Sequence, residues 1–214
     1  MKLLEKLDYK LDKGGVFTLV SRSCTGKTTI LCLLANELLM QGKNVAFITD
    51  SDDISVIANK FRNIIPSENE LRGRLNIKNE NINDINHIIK GLPQDIDVLI
   101  LDGYFGNKEN LKEHALKKQI TIFETKLLRA KFLEGDVPFG ESRQLMQRSD
   151  IVVKLSRNGN TQNLSFLDKL SNIFCFWLPK IVEKEKLLFE VLKNRRGKQV
   201  NFLYPIDFKE INEK

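Results

Sequence analysis

A stretch of nine residues near the start of the chain has the residue types and spacing of a phosphate-binding site. At its centre is Gly26-Lys27-Thr28. In a loop that opens a helix, the backbone N–H groups and the helix dipole would hold a nucleotide phosphate. Lys27 would place charge on the β- and γ-phosphates, and the Thr28 hydroxyl would be a ligand for Mg²⁺. The stretch consists of Ser21, Arg22, Ser23, Cys24, Thr25, Gly26, Lys27, Thr28 and Thr29.

The flanks of this stretch match such a loop, although one position departs from the G-x-x-x-x-G-K-[ST] pattern. Ser21 stands where the pattern has its first glycine. The apolar run Val16–Val20 is typical of a buried strand, and Ile30–Met40 has helical spacing that ends before Gly42. A strand, a tight loop and a helix favour phosphate binding over a chance match, which is the alternative interpretation.

A second apolar run, Val98–Leu101, ends in Asp102. A buried strand that ends in a carboxylate is the usual partner of a phosphate-binding loop, because it delivers an oxygen ligand to the magnesium shell. Thr28 and Asp102 are therefore predicted to bind Mg²⁺ together, and Lys27 and Asp102 are candidate catalytic residues.

Further carboxylates follow the apolar run Val45–Thr49. Asp50 and Asp52 lie at the end of this predicted strand, where a nucleotide site would be built. The alternative is that Asp52 or Asp53 caps the helix predicted for residues 54–65.

The remaining pattern predicts an α/β fold with a mostly parallel central sheet flanked by helices. Short β-rich runs occur at Leu75–Ile77, Thr121–Thr125 and Ile151–Leu155. Helical spacing occurs at 82–89 and 110–118. Two further runs, 187–192 and 199–204, flank a basic turn and predict a C-terminal antiparallel hairpin.

A basic, Gly- and Pro-containing loop is predicted at residues 126–150. Its basic side chains are candidate contacts for nucleic acid, and a solvated loop is the alternative. Residues 161–185 have no regular period and are predicted to be an insertion. The candidate contacts are Arg129, Lys131, Arg143 and Arg148.

Length and composition favour one domain. The 214 residues include 42% hydrophobic side chains, with a formal net charge of +6 that permits a polyanionic partner. We expect residues 1–13 to form an arm or short helix and residues 14–214 to form the main domain. No run of about 18 apolar residues is present, and the three cysteines lack metal spacing. We therefore expect a soluble, cytoplasmic protein without membrane contact.

The order of these parts resembles the motor domain of DnaB-type replicative helicases, which are RecA-like ATPases. The resemblance runs from about Leu7 to Phe208 and is most specific in the Lys193-x-Arg195-x-Gly197 turn of the hairpin. It implies a RecA-like core, ATP and Mg²⁺ as ligands, and a hexameric assembly on single-stranded DNA. Arg195 matches the arginine finger that reaches a neighbouring subunit's nucleotide, and Lys193 matches its basic companion.

Two positions depart from this family. Where the family has a glutamate that activates water, this chain has Ser51, flanked by Asp50 and Asp52. Lys126 occupies the position of the polar residue, usually glutamine, that senses the γ-phosphate.

These features leave three hypotheses open. The first is a motor that couples ATP hydrolysis to movement on single-stranded DNA in replication. The second is a degenerate module that binds ATP and DNA with little hydrolysis, which the two departures favour. The third is a small-molecule kinase or a partition-type ATPase, although partition-type ATPases carry a lysine where this chain has Arg22.

Overall fold

The computed structural model describes residues 2–7, 14–22, 24–50, 52–65, 71–82, 84–103, 111–127, 145–157, 185–195, 197–206 and 211. These residues form an α/β fold built around one sheet. The helices are α1 (Leu3–Lys6), α2 (Lys27–Met40), α3 (Ile54–Ile64), α4 (Ile85–Gly91) and α5 (Leu111–Lys118). The strands are β1 (Val16–Ser21), β2 (Val45–Thr49), β3 (Leu75–Asn79), β4 (Val98–Asp102), β5 (Thr121–Leu127), β6 (Ile151–Arg157), β7 (Glu185–Asn194) and β8 (Asn201–Ile206).

The sheet has eight strands in the order β3-β2-β4-β5-β1-β6-β7-β8. The first six strands in this order, from β3 to β6, pair in parallel. Strand β7 pairs antiparallel with β6, and β8 pairs antiparallel with β7. The predicted mostly parallel sheet with a C-terminal antiparallel hairpin is confirmed. Strand β5 lies between β1 and β4, so it separates the loop after β1 from the aspartate that ends β4.

The central strands are apolar because helices cover both faces of the sheet. Every residue of β1, β2 and β4 is buried, as is usual for parallel strands. One face packs against α1, α2 and α3, and the other packs against α4 and α5. Among the described residues, no helix has both the length and the apolar character needed to cross a bilayer.

The N-terminal arm is helical and docks on the chain's own α2. The Glu37 carboxylate accepts hydrogen bonds from the backbone N–H groups of Leu3 (2.6 Å) and Leu4 (2.9 Å). These N–H groups open α1 and have no partner within that helix. Leu3 and Leu7 are fully buried, so the arm contributes to the core. Residues 8–13 lie outside the described part.

The predicted loop of residues 126–150 has different bounds in the structure. Lys126 belongs to β5, which continues to Leu127 because that residue still pairs with Ser21 of β1. Pairing with β1 therefore prolongs the strand beyond its apolar run. A helical turn covers residues 145–148. The predicted insertion at 161–185 lies outside the described residues except for Glu185, where β7 begins.

A buried ion pair connects this helical turn to β5. The Arg148 Nη2 atom donates to both carboxylate oxygens of Glu124, each at 2.8 Å. The Glu124 side chain is 0% exposed and that of Arg148 is 11% exposed. The Thr18 hydroxyl donates to the same carboxylate at 2.7 Å and contacts the Ser149 hydroxyl at 2.6 Å. The turn is therefore anchored under β1 and β5.

We expect Arg148→Ala to lower the free energy of unfolding by about 3–5 kcal/mol, because it leaves a buried carboxylate without its cation. Urea denaturation followed by circular dichroism measures this change. Lys154→Ala is the matched control, since Lys154 forms a more exposed ion pair with Glu190 at 2.8 Å and its loss is expected to cost about 1 kcal/mol or less. Equal effects of the two substitutions would contradict a special role for the buried pair.

Candidate functional site

The carboxyl ends of the parallel strands bring most of the predicted site residues to one edge of the sheet. Parallel pairing aligns Thr49 with Asp102 and Ser21 with Leu127. The loop after β1, the carboxylate of β4 and the residues after β2 therefore lie at the same edge. Such an edge is where ligands bind in open α/β sheets.

The loop between β1 and α2, called here the β1–α2 loop, covers residues 22–26. Gly26 has φ of 95° and precedes the first turn of α2, a backbone conformation that favours glycine. The backbone oxygen of Arg22 accepts hydrogen bonds from the Thr25 hydroxyl (2.7 Å) and from Lys27 Nζ (2.9 Å). These bonds hold Arg22, Thr25 and the start of α2 close together.

The first turn of α2 contacts the end of β4 directly. The Thr28 hydroxyl donates to Asp102 Oδ2 at 2.6 Å. Thr125 of β5 donates to the other oxygen, Oδ1, at 3.3 Å and accepts from the Gly103 N–H at 2.9 Å. The Asp102 carboxylate, which is 3% exposed, is thus held in place by two hydroxyl groups.

Burial shifts the pKa values of Asp102 and Lys27. Desolvation raises the pKa of Asp102, and the charge of Asp52 adds to that rise, while hydrogen bonds from Thr28 and Thr125 and the charge of Lys27 oppose it. Desolvation also lowers the pKa of Lys27, with Asp102 acting in the opposite direction. Each group is therefore less stable in its charged form than in water, and a bound ion of opposite charge would relieve that cost.

The donor set at Thr28 and Asp102 fits Mg²⁺. A hydroxyl and a carboxylate are hard oxygen ligands, and Mg²⁺ is commonly bound by one or two carboxylates together with substrate phosphates. No group of three or more His, Cys, Asp or Glu side chains that could hold a metal occurs among the described residues. Thr28 and Asp102 would supply part of a Mg²⁺ shell, and phosphate and water oxygens would be suitable remaining ligands. When bound, such a metal supplies charge neutralisation to the phosphate oxygens.

Of the two aspartates after β2, Asp52 is the one whose charge acts on the pKa of the Asp102 carboxylate. Partial desolvation raises the pKa of Asp50, although that residue is largely exposed, and a backbone hydrogen bond opposes the rise. The Asp52 backbone is held by the Thr49 hydroxyl at 3.3 Å and by Asn79 at 3.1 Å. Asp53 occupies the N-cap position of α3 but makes no capping side-chain hydrogen bond.

We expect Asp52→Asn to lower ATP turnover by about 100-fold, the low end of what a positioned general base contributes. Asp50→Asn is the matched control and is expected to keep turnover within about twofold of wild type, because its carboxylate is exposed. Steady-state phosphate release measures both variants. A larger loss in Asp50→Asn than in Asp52→Asn would contradict the assignment.

Thr125 is a site residue that the sequence pattern did not identify. Successive residues of a strand point to opposite faces, and Thr125 contacts Asp102 on the α2 face. The side chain of Lys126 therefore leaves β5 on the opposite face of the sheet from Thr125. In the register, Lys126 pairs with Val20 of β1. Its predicted contact with the γ-phosphate stays a prediction. Ser51 and Ser23 lie outside the described residues.

Arg195 and Lys193 lie at the opposite edge of the sheet. The Arg195 Nη1 atom is 3.4 Å from Asp150 Oδ1, and its Nη2 atom donates to the Gln147 backbone oxygen at 3.0 Å. Asp150 precedes β6 and accepts from the Val16 N–H at 2.8 Å. Lys193 donates to the backbone oxygens of Met146 and Ser149, which adds two more contacts to that turn.

This placement separates Arg195 from its own β1–α2 loop by the length of β1. The strand has six residues, which corresponds to roughly 15–20 Å. Arg195 therefore cannot reach its own loop while it contacts Asp150. A nucleotide bound at this chain's own β1–α2 loop would therefore lie beyond its reach.

Arg148, a predicted nucleic-acid contact, forms an ion pair inside the protein. Its guanidinium is engaged in the buried pair with Glu124, so it is not presented to an external ligand. The sequence interpretation treated it as part of an open loop, whereas it lies in the helical turn 145–148. Arg129, Lys131 and Arg143 lie outside the described residues.

Arg157 is a second residue that the sequence pattern missed. It ends β6, and its Nη2 atom donates to the backbone oxygen of Cys24 in the β1–α2 loop at 2.8 Å. The available signal was its place at the carboxyl end of a strand, but the adjacency of β6 and β1 was needed to interpret it.

Comparison with known proteins adds no family assignment. No protein-family model matches the chain, and no curated protein matches it at a significant level.

Proposed function

We propose that the chain is an ATP-binding, RecA-like motor domain of the DnaB type that hydrolyses ATP with Mg²⁺ and acts on single-stranded DNA. The β1–α2 loop is its phosphate-binding loop in this proposal. Lys27 binds the β- and γ-phosphates, and Thr28 and Asp102 hold the metal.

One observation carries the nucleotide part of the proposal. The Thr28 hydroxyl and the Asp102 carboxylate are 2.6 Å apart, although 74 positions separate them in the sequence. Sequence motifs alone predicted these two residues as joint ligands of one metal. A chance match of either motif would not require this contact, so the contact supports a nucleotide site over a generic strand–loop–helix unit.

The position of Arg195 supports an oligomeric motor. Phosphoryl transfer benefits from a cation supplied by a neighbouring subunit. Arg195 lies at the edge opposite its own loop and is half-exposed, with 47% of its side chain accessible. A head-to-tail ring would bring that edge of one copy to the loop edge of the next. The DNA partner rests on the resemblance and on the net charge of +6.

A module that binds ATP but hydrolyses it slowly is the second candidate. The observation that favours it is the carboxylate set after β2: both Asp50 and Asp52 are one methylene shorter than glutamate, and Asp50 is exposed. An attacking water must lie within hydrogen-bond reach of the group that activates it, and a shorter side chain reaches less far, which would slow hydrolysis.

An assay of Mg-ATP hydrolysis by the full chain, with and without single-stranded DNA, tests the proposal. Lys27→Ala is the control. We expect hydrolysis above the control and stimulation by DNA. The absence of hydrolysis above Lys27→Ala would reject the motor. Nucleotide binding without hydrolysis, with turnover gained in Ser51→Glu, would identify the binding module instead.

A further inference from the structure

Arg157 reaches the β1–α2 loop from the neighbouring strand. The parallel register pairs Leu155 of β6 with Ser21 of β1, so Arg157 lies two positions beyond the end of β1 and level with the loop. Its Nη2 atom donates to the Cys24 backbone oxygen at 2.8 Å. The alternation of β6 also places Arg157 on the α2 face, because Val153 and Leu155 pack in the core on that face.

The backbone that Arg157 contacts has an unusual conformation. Cys24 has φ of 56°, in the left-handed region that residues with a Cβ rarely occupy. Such a conformation persists where surrounding contacts enforce it. The guanidinium on the Cys24 oxygen is one such contact, and it comes from outside the loop.

The contact also fixes a backbone donor. The structure contains no cis peptide bond among its described residues, so the Cys24 carbonyl and the Thr25 N–H point in opposite directions. Because the carbonyl points toward Arg157, the Thr25 N–H points away from Arg157. Backbone N–H groups of this loop are the ones that the proposed function assigns to phosphate.

We propose that Arg157 is a positioning residue that holds the β1–α2 loop in the shape that binds phosphate. The inference rests on the proposed nucleotide site and assigns to Arg157 an indirect role through Cys24. It predicts that Arg157 affects ADP and ATP alike, since the loop binds the phosphates that both nucleotides share. A direct contact with the γ-phosphate would affect ATP alone.

Nucleotide affinity tests this role directly. Fluorescent ATP and ADP analogues are titrated with Mg²⁺ into the full chain carrying Arg157→Ala, Arg157→Lys or Lys154→Ala. We expect Arg157→Ala to weaken both nucleotides by about tenfold, the scale of one hydrogen bond to a charged group, and Arg157→Lys to restore part of the loss. Lys154 lies on the same strand and pairs with Glu190, so its removal is expected to leave both affinities unchanged.

The reactivity of the Cys24 thiol measures the conformational freedom of the β1–α2 loop without any nucleotide. Cys24 is exposed, whereas Cys32 is buried, and a Cys24→Ser variant identifies the Cys24 signal against the other thiols. We expect a neutral thiol reagent to modify Cys24 faster in Arg157→Ala than in wild type, because the loop samples more conformations. Thermal melting checks that the variants are folded. If Arg157→Ala does not fold, Arg157→Lys is compared with wild type in the same measurements.

The outcomes separate this inference from the proposed function. If wild type binds neither nucleotide, both are overturned. If wild type binds and Lys27→Ala does not, but Arg157→Ala binds as wild type does, only the positioning role is overturned. A loss confined to ATP would likewise reject positioning in favour of a γ-phosphate contact.

Discussion

Asp102→Asn is expected to lower ATP turnover of the full chain by about 10²- to 10³-fold at saturating ATP and Mg²⁺. The carboxylate contacts Thr28 at 2.6 Å and is almost fully buried, so removal of its charge directly weakens the proposed metal site. Metal-ion charge stabilisation is worth several kcal/mol. Phosphate release measured across Mg²⁺ concentrations is the assay, and the Mg²⁺ requirement is expected to rise as the rate falls.

Asp97→Asn is the matched control for this substitution. Asp97 lies at the other end of the same strand, where it accepts a hydrogen bond from the Asn44 N–H at 3.0 Å and lies 3.8 Å from Lys43. Its removal is expected to leave turnover within about twofold of wild type, since it is far from the loop edge. Equal losses in the two variants would show that the effect comes from the sheet and not from the metal site.

The stability of Asp102→Asn separates lost chemistry from lost folding. Desolvation raises the pKa of Asp102 in the folded state. The charged carboxylate therefore costs stability above its folded pKa, and that cost is relieved as the pH falls through the folded pKa. Asparagine removes the charge, so without Mg²⁺ the variant is expected to melt no lower than wild type at pH 7 to 8. A much lower melting temperature would attribute the lost turnover to unfolding.

The fold could be predicted from the sequence because its strands are covered on both faces. Val16–Val20, Val45–Thr49 and Val98–Leu101 are continuous apolar runs, and such runs are typical of buried parallel strands. The closeness of Thr28 and Asp102 could be predicted for a related reason. Both residues follow a buried strand, and parallel strands bring their carboxyl ends to one edge.

The contacts of Arg148, Thr125 and Arg157 could not be predicted because they depend on which strands are neighbours. Arg148 lies in a stretch with loop-like composition, yet β5 places Glu124 beneath it. Thr125 gains its role from the position of β5 beside β4. Arg157 gains its role from β6 beside β1. A periodicity argument determines the face of each residue along its own strand but not the partner across the sheet.

Arg195→Ala is expected to cause the largest loss, about 10³- to 10⁵-fold in turnover, if Arg195 is supplied to a neighbour's nucleotide. The residue contacts Asp150 at the edge opposite its own loop, so its role requires a second copy of the chain. We expect the wild-type rate per subunit to rise with protein concentration. Lys198→Ala is the matched control, because Lys198 is an exposed basic residue in the same turn.

Mixing two inactive variants tests whether Arg195 acts between subunits. Lys27→Ala retains Arg195 but lacks the phosphate lysine, and Arg195→Ala retains the lysine. In a head-to-tail assembly mixed in equal amounts, about a quarter of the interfaces pair an intact loop with an intact Arg195. Turnover should then exceed the sum of the separate variants. If native mass spectrometry detects mixed oligomers and turnover does not recover, Arg195 does not act across an interface, because each missing group was available from the adjacent copy.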